Sequence, residues 1–109
     1  MKMTDIPFAT VDWDKIEATE RKGDSGFAHW RTIQLGEIRV RMVEYSPGYV
    51  ADHWCAKGHI LLVLEGTLVT ELKDGRKFTL VPGMSYQVAD EAEPHRSTTL
   101  SGAKLFIVD

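Results

Sequence analysis

The sequence predicts an all-β protein, a single small sandwich or barrel of about eight strands with an N-terminal arm. Apolar and polar residues alternate with a period of two through several short segments, and turn signals separate these segments at intervals of roughly 8–12 residues. No apolar periodicity of helical type is long enough for a strand–helix–strand unit. The chain has 109 residues, 43% hydrophobic and 27% charged, which is typical of one globular domain.

The N-terminal arm is predicted for residues 1–30 and the barrel for residues 31–109. Within the arm, residues 14–21 carry charges of both signs at a helical spacing, so a short turn of surface helix is expected there. The stretch from Gly23 to Gly26 is typical of a loop. We expect the arm to lie across the barrel or against a second subunit.

Short segments bounded by glycine and proline are the predicted strands. The tightest turn is expected at Asp74-Gly75, because this dipeptide readily supplies the positive φ of a hairpin turn. In the segment 38–43, Arg39 and Arg41 alternate with apolar residues, which is typical of a solvent-facing side of a strand, although a dimer contact would give the same pattern. The predicted strand segments, in chain order, are 27–33, 38–43, 60–64, 68–72, 78–80, 86–88 and 105–108.

Charge and apolar content exclude several classes of partner. The net charge is −3 and no basic cluster exceeds two adjacent residues, so neither nucleic acid nor an anionic membrane surface is an expected partner. The longest apolar run, residues 60–64, is too short to span a bilayer. The N-terminal residues lack the apolar segment of a signal peptide, and the single cysteine cannot form an internal disulfide. These features predict a cytoplasmic protein.

Three of the four histidines fall in two places that predict a metal site. His53, Cys55 and His59 lie in one short stretch, and His95 follows a later β segment. His53 and Cys55 are two residues apart, so in a strand their side chains share one face. A turn at Gly58 would let His59 face them, whereas only the fold can bring His95 close.

Imidazole and thiolate donors suit one divalent transition metal, Zn, Fe, Ni, Cu or Mn, rather than Mg or Ca. Asp52 could orient a ligating imidazole from outside the coordination shell. Ordinary interpretations stay open, because the histidines could be hydrogen-bonded to the backbone and Cys55 could be a small buried hydrophobic residue. Trp54, Met84 and Tyr86 are candidate pocket walls, although core or interface positions are more common for such side chains.

Two stretches of the chain resemble the two motifs of the cupin superfamily. In the first motif, the matching positions are Gly48, His53, Cys55 in place of the second histidine, His59 in place of the glutamate, and Gly66. In the second motif, they are Gly75, Pro82, Gly83 and His95 as the single ligand. Residues 52–55 are similar to the motif of the small single-domain proteins named DHCW-motif cupins. The resemblance implies a jelly-roll β-barrel, often a homodimer, that binds one divalent metal in the barrel mouth.

Three functions are compatible with this resemblance. A metal with an open coordination position would suit an enzyme acting on a small molecule, of the oxygenase, isomerase or hydrolase class. A closed tetrahedral site formed by all four donors would suit a non-catalytic module that binds or senses a metal or ligand. In the third alternative, the barrel holds no metal and its histidines have no role in binding. The expected partners are a small-molecule ligand or substrate and a second copy of the chain, since small barrels often pair their edge strands.

Overall fold

Within residues 3–109, which the computed structural model describes, the chain forms nine β-strands and one short 3-10 turn. The turn covers Trp13–Lys15. The surface helix predicted for residues 14–21 is therefore replaced by this turn and by the start of β1. No helix in these residues is long and apolar enough to cross a membrane. The strands are β1 Thr19–Lys22, β2 Phe27–Leu35, β3 Ile38–Tyr45, β4 His59–Gly66, β5 Leu68–Leu72, β6 Lys77–Leu80, β7 Ser85–Val88, β8 His95–Thr98 and β9 Ala103–Val108.

The strands form two antiparallel sheets that pack face to face. The larger sheet has the order β1-β2-β3-β9-β4-β7, and the smaller sheet has the order β6-β5-β8. One apolar core lies between them, and both sheets contribute to it. Its buried members are Val43, Leu61, Val63, Leu68, Leu80, Ala103, Leu105 and Ile107. This arrangement confirms the predicted all-β, jelly-roll type of barrel.

The chain passes from the larger sheet to the smaller one at Gly66, between β4 and β5. Gly66 has a φ of 75°, and a Cβ atom at this position would lie 2.0 Å from the carbonyl oxygen of Gly102. Only glycine allows so close an approach of two backbones. The hydroxyl of Thr99 donates to the carbonyl oxygen of Thr67 at 2.6 Å, which ties this corner to the end of β8.

The last third of the predicted arm belongs to the larger sheet. β1 and the first residues of β2 lie within residues 1–30, so the predicted boundary at residue 30 falls inside β2. A loop in which the Gly23 N–H donates to the Gly26 carbonyl oxygen joins the two strands as a hairpin. Further upstream, Trp13 packs edge-on against Phe106 of β9, with ring centroids 6.3 Å apart. Phe106 alternates with core residues of β9, so the arm covers the outer face of the barrel here.

A segment between β3 and β4, residues 50–55, runs beside the smaller sheet. Val50 pairs with Thr98, and Cys55 pairs with His95, both in antiparallel bridges. β8 therefore lies between β5 and this segment. This pairing brings residues that are far apart in the sequence to the same end of the barrel.

Candidate metal centre

Three donor residues converge at one end of the barrel. One ligand atom from each of Cys55, His59 and His95 lies within 4.8 Å of the other two. Cys55 and His95 are opposite each other in the bridge between residues 50–55 and β8, and His59 is the first residue of β4. Gly58 lets the chain enter β4 close to the backbone of Asp90, because a Cβ atom at Gly58 would lie 2.5 Å from the Asp90 nitrogen.

The two imidazole rings meet through the same kind of nitrogen. Nε2 of His95 lies 3.1 Å from Nε2 of His59, and the Tyr86 hydroxyl oxygen lies 2.9 Å from the same His59 atom. On the other side of its ring, His95 donates from Nδ1 to the Glu93 carbonyl oxygen at 2.9 Å. In the neutral ring, this bond leaves Nε2 of His95 with a lone pair directed at the other donors.

His59 has no such partner on its second nitrogen. Among the described residues, its buried Nδ1 has no hydrogen bond, and Oδ2 of Asp109 lies 3.8 Å from it. If Nδ1 carries the proton on the side of Asp109, the Nε2 atoms of His59 and His95 both present lone pairs, 3.1 Å apart. Two facing lone pairs repel each other unless a cation or a proton lies between them. This donor set therefore fits a bound metal ion.

Burial and mutual contact shift the protonation of all three donors. Burial, followed by the neighbouring His95, lowers the pKa of His59 to about 4, so this imidazole is neutral near pH 7. The hydrogen bond between Cys55 and His95 lowers the pKa of the thiol and raises the pKa of the imidazole. Cys55 thereby gains thiolate character, and the thiolate is the form that binds metal.

Three charged residues lie behind the donors, and the sequence did not predict any of them to belong to the site. Arg39 donates two hydrogen bonds to the Asp109 carboxylate, at 2.9 and 3.0 Å, and Arg41 donates one at 3.0 Å. Arg41 is only 6% exposed, so the expectation that it faces solvent is wrong. Arg41 shares a strand face with Val43, and Asp109 shares one with Ile107, both of which lie in the core. Parity alone did not reveal this, because Ile38 and Val40 make the opposite face of β3 apolar as well.

A cavity of about 300 Å³ adjoins the donors. Cys55, His59 and His95 all line it, and so do Arg41 and Tyr86. Its volume is at the low end of the range for small-molecule sites. A metal held by the three donors would therefore face a space large enough for a small organic molecule.

A second cavity, of about 380 Å³, lies between β6 and β7 and is mainly apolar. Met84 and Tyr86, the two candidate pocket residues on this side of the barrel, both line it. His95 lines it as well. Because Tyr86 and His95 also line the first cavity, the donors lie between the two spaces.

The other predicted site residues lie at the rim. His53 lines the first cavity, but its nitrogens are not among the donor atoms that lie within 4.8 Å of one another, and its side chain is 70% exposed. Its Nδ1 lies 2.6 Å from a carboxylate oxygen of Asp52, so Asp52 orients this imidazole. Trp54 packs against Arg96, whose guanidinium carbon lies 4.7 Å from the ring centroid. The structure thus brings together three of the four predicted ligands.

Solved structures similar to this one include several cupins and related enzymes. The polyketide cyclase RemF from Streptomyces resistomycificus aligns with a TM-score of 0.78 and 23% identity, over 94% of this chain and 78% of that chain. A predicted oxalate decarboxylase from Thermotoga maritima aligns with a TM-score of 0.78 and 15% identity, over 92% and 96% of the two chains. An RmlC-like cupin from Shewanella frigidimarina aligns with a TM-score of 0.72 and 18% identity, over 94% and 90%.

Comparison by sequence is less informative. No protein-family model matches the chain. A stretch of 63 residues is 40% identical to the ribosomal RNA small subunit methyltransferase A of Thermobifida fusca, covering 56% of this chain and 22% of that protein. The chain therefore spans less than a quarter of that relative, whose activity belongs to a much longer protein. The structural likeness, by contrast, extends over more than nine-tenths of the chain, and it shows that this protein has the cupin fold.

Proposed function

We propose that this protein binds one divalent transition metal through Cys55, His59 and His95, and that the metal binds or activates a small molecule in the adjoining cavity. The observation that supports this most is the 3.1 Å separation between the two Nε2 atoms. Two nitrogens that each lie about 2.1 Å from one metal, at an angle between about 90° and 110°, are about 3.0–3.4 Å apart. The two rings are therefore spaced as ligands of one ion would be.

An open coordination position is expected, because the close group offers three donors and a tetrahedral ion takes four. A bound metal of this kind supplies a Lewis acid and lowers the pKa of a coordinated water. One thiolate and two imidazoles suit Zn, Fe, Ni or Cu better than the harder Mn. Burial raises the pKa of Tyr86, so its hydroxyl stays protonated and can donate a hydrogen bond to a molecule in the cavity.

The role of His53 distinguishes a catalytic centre from a non-catalytic one. As a fourth ligand, which the sequence motif predicts, His53 would close the tetrahedral shell and favour a module that senses or stores a metal or ligand. The exposure of His53 and its contact with Asp52 favour an open site instead. In that case the Asp52–His53 pair stands at the rim of the cavity, where the imidazole can exchange a proton with a bound molecule.

Cobalt-substituted protein separates these two forms of the proposal. Azide added to the Co(II)-loaded protein is expected to change its visible spectrum, because an open position accepts an additional ligand. His53→Ala should leave this response unchanged if His53 does not ligate. A spectrum that azide does not alter in the wild type, but does alter in His53→Ala, would assign His53 as the fourth ligand and make the centre non-catalytic.

A metal-free barrel is the competing function, and one observation favours it. The contacts from Tyr86 to His59 and from His59 to His95 form a continuous series at hydrogen-bond distances, so a proton could replace the metal. That proton would reside on Nε2 of His95, because the contact with Cys55 raises the pKa of this imidazole whereas burial lowers the pKa of His59. In the metal-bound form both Nε2 atoms are deprotonated instead, so the metal content of the purified protein distinguishes the two forms.

We also propose that the protein is a homodimer in the cytoplasm. Ile60 and Leu64 lie on the same face of β4 and are 52% and 37% exposed, and a second copy of the chain could cover them. A reducing compartment would keep the Cys55 thiol available for metal. Sedimentation velocity over a range of concentrations tests the dimer, and a monomer throughout would reject it.

Elemental analysis tests the metal centre directly. Protein purified anaerobically, without chelator or nickel resin, is expected to carry about one equivalent of a transition metal. His95→Ala should lose nearly all of it. His29→Ala is the matched control, because His29 is an exposed residue paired with Glu20, and this variant should keep its metal. Full occupancy in His95→Ala, or an empty wild type after reconstitution, would reject the proposal.

A further inference from the structure

We propose that the basic wall of the 300 Å³ cavity binds the carboxylate group of a small organic acid beside the metal centre. Four basic residues line this cavity, and among the described residues no Asp or Glu does so: Arg39, Arg41, Lys57 and Arg96, of which Arg96 is paired with Glu71 outside it. The whole chain has a net charge of −3, so this local excess of positive charge runs against its composition. The inference names the substrate class of the proposed function, and it rests on that function only for the presence of the metal.

Arg41 is the central group of the basic wall. Its guanidinium is buried, and within residues 3–109 it forms one hydrogen bond, from Nη2 to the Asp109 carboxylate. Its Nε–H is buried without a partner. A buried donor that has no acceptor costs free energy, and a guanidinium has five N–H groups to satisfy. An acceptor that enters the cavity could complete these hydrogen bonds.

Asp109 does not neutralise the wall. Its carboxylate is shared, since Arg39 binds both oxygens and Arg41 binds one of the same two. Two guanidinium groups on one side-chain carboxylate leave an excess positive charge in a poorly solvated place. Burial, followed by the charge of Arg39, lowers the pKa of Arg41, which shows that both effects act against its charge. A carboxylate ligand would offset them.

Trp30 lies against both guanidinium groups of the basic wall. The ring centroid of Trp30 lies 4.4 Å from the guanidinium carbon of Arg41 and 5.7 Å from that of Arg39. A stacked guanidinium keeps its edge, which carries the N–H donors, free for a planar carboxylate. Because the donors are held in place before the ligand arrives, little side-chain entropy is lost on binding. Lys57 is exposed at the rim and adds a charge that attracts anions.

The basic wall and the metal donors are neighbours within one cavity. Oδ2 of Asp109 lies 3.0 Å from Nη2 of Arg41 and 3.8 Å from Nδ1 of His59, so one carboxylate oxygen connects the two groups. An acid bound through its carboxylate to Arg41 would therefore lie in the same cavity as the metal donors. The volume of the cavity limits this acid to a small molecule.

Anion binding to the metal-free protein tests this site without depending on the metal. The full chain, stripped with chelator and dialysed, is titrated with acetate, malonate and inorganic phosphate at constant ionic strength and pH, and binding is followed by NMR. Saturable binding at one site is expected, with the carboxylates binding more tightly than phosphate. The Nε–H resonance of Arg41 in the wild type should shift during the titration.

Two variants and a control locate the site. Arg41→Gln should weaken malonate binding by about tenfold or more, because it removes a charged hydrogen-bond donor. Lys57→Gln should weaken it by about threefold through the loss of attraction. Lys73→Gln removes an exposed charge in the β5–β6 turn and should have no effect. In Arg41→Gln, Arg39 still pairs with the Asp109 carboxylate, so we expect this variant to fold. Circular dichroism checks that it does.

Several outcomes would overturn the inference. One is that malonate binds equally to the wild type, to Arg41→Gln and to Lys57→Gln. Another is that the Arg41 Nε–H resonance does not shift during the titration. A third is that malonate binds only to the zinc-loaded protein. The last result would mean that the anion is only a metal ligand. Tighter binding of phosphate than of malonate would reject the carboxylate and assign a phosphate-bearing ligand. Malonate binding in a protein that takes up no metal would reject the proposed function and leave the anion site standing.

Discussion

Cys55 and His95 face each other as a mutually hydrogen-bonded backbone pair, with the Cys55 N–H 2.8 Å from the His95 oxygen and the His95 N–H 2.9 Å from the Cys55 oxygen. The two side chains of such a pair lie on the same face of the two segments. The thiol and the imidazole are therefore held together by the fold itself, before any metal binds. His59 completes the group from a strand of the opposite sheet.

Removing the sulfur should separate metal binding from folding. Cys55→Ser keeps the backbone pair with His95 but replaces the thiolate by a poor ligand, so we expect the affinity for Zn to fall by more than about 100-fold. In Co(II)-loaded protein, the sulfur-to-metal charge-transfer band should disappear. Competition with a chromophoric chelator measures the first effect, and near-ultraviolet absorption measures the second.

His53→Ala provides the comparison for this variant. His53 lies outside the close group of donors, so its loss should change the affinity for Zn by much less than Cys55→Ser does. A loss equal to that of Cys55→Ser would show that His53 moves onto the metal and closes the coordination shell. An unchanged charge-transfer band in Cys55→Ser would remove Cys55 from the ligand set.

Gly66→Ala should strongly destabilise the barrel. The new Cβ atom would lie 2.0 Å from the Gly102 carbonyl oxygen, and the φ of 75° is already unfavourable for alanine. We expect the free energy of unfolding to fall by at least about 2 kcal/mol. Gly36→Ala is the matched control, since Gly36 has a φ of 60° and open space around it, and its cost should be about 1 kcal/mol. Equal losses in urea denaturation would mean that the β4–β5 corner moves to accept a side chain.

Much of this architecture follows from local sequence signals. The alternation of apolar residues and the glycine and proline turns predict most of the strands, because one face of each strand must reach the core. Three donors were also predicted, since the spacing of Cys55 and His59 and the isolated position of His95 suit the ends of strands. Their meeting could not be derived from spacing, because it depends on the bridge between Cys55 and His95, which no turn signal announces.

Arg41 shows where strand periodicity misleads. Ile38 and Val40 are apolar and buried, so the alternating arginines seemed to be the solvent side of β3. Both faces of this strand are in fact covered. Ile38 and Val40 lie on the outer face, where Trp13 of the arm packs against Phe106 of the adjacent β9. A sequence pattern cannot distinguish an inner polar cavity from solvent, because both accept charged side chains.

The stacked pair of Tyr45 and Tyr49 should resist ionisation. Their ring centroids lie 4.1 Å apart at an interplanar angle of 10°, and burial raises the pKa of both hydroxyls. In Tyr86→Phe, where these are the two remaining tyrosines, phenolate absorbance should be small at pH about 10, the midpoint expected for an unfolded chain.

The sign of the effect on stability follows from proton binding. Above pH about 10 the unfolded chain loses tyrosine protons that the folded protein keeps. The contribution of the two tyrosines to the free energy of unfolding is therefore complete below this pH and decreases as the pH rises. Ultraviolet titration with parallel circular dichroism measures both quantities. Half-ionised tyrosines at pH about 10 in a protein that is still folded would contradict the prediction.

Asp109→Asn should reveal how much the buried carboxylate stabilises the barrel. The side chain of Asp109 is 1% exposed and binds both Arg39 and Arg41, so an amide of the same shape would leave two guanidinium groups without a counter-charge. Removing one partner of a buried ion pair costs about 3–5 kcal/mol, and we expect the lower value because Arg39 remains partly exposed. Asp74→Asn is the control, since Asp74 is an exposed carboxylate bound to Arg76, and its loss should change the free energy of unfolding far less than Asp109→Asn does. Urea denaturation of the metal-free proteins compares the two.

Malonate should restore part of the stability lost in Asp109→Asn, because an anion in the cavity can replace the missing charge. A loss that malonate does not reduce would mean that the two arginines cannot be reached from the cavity.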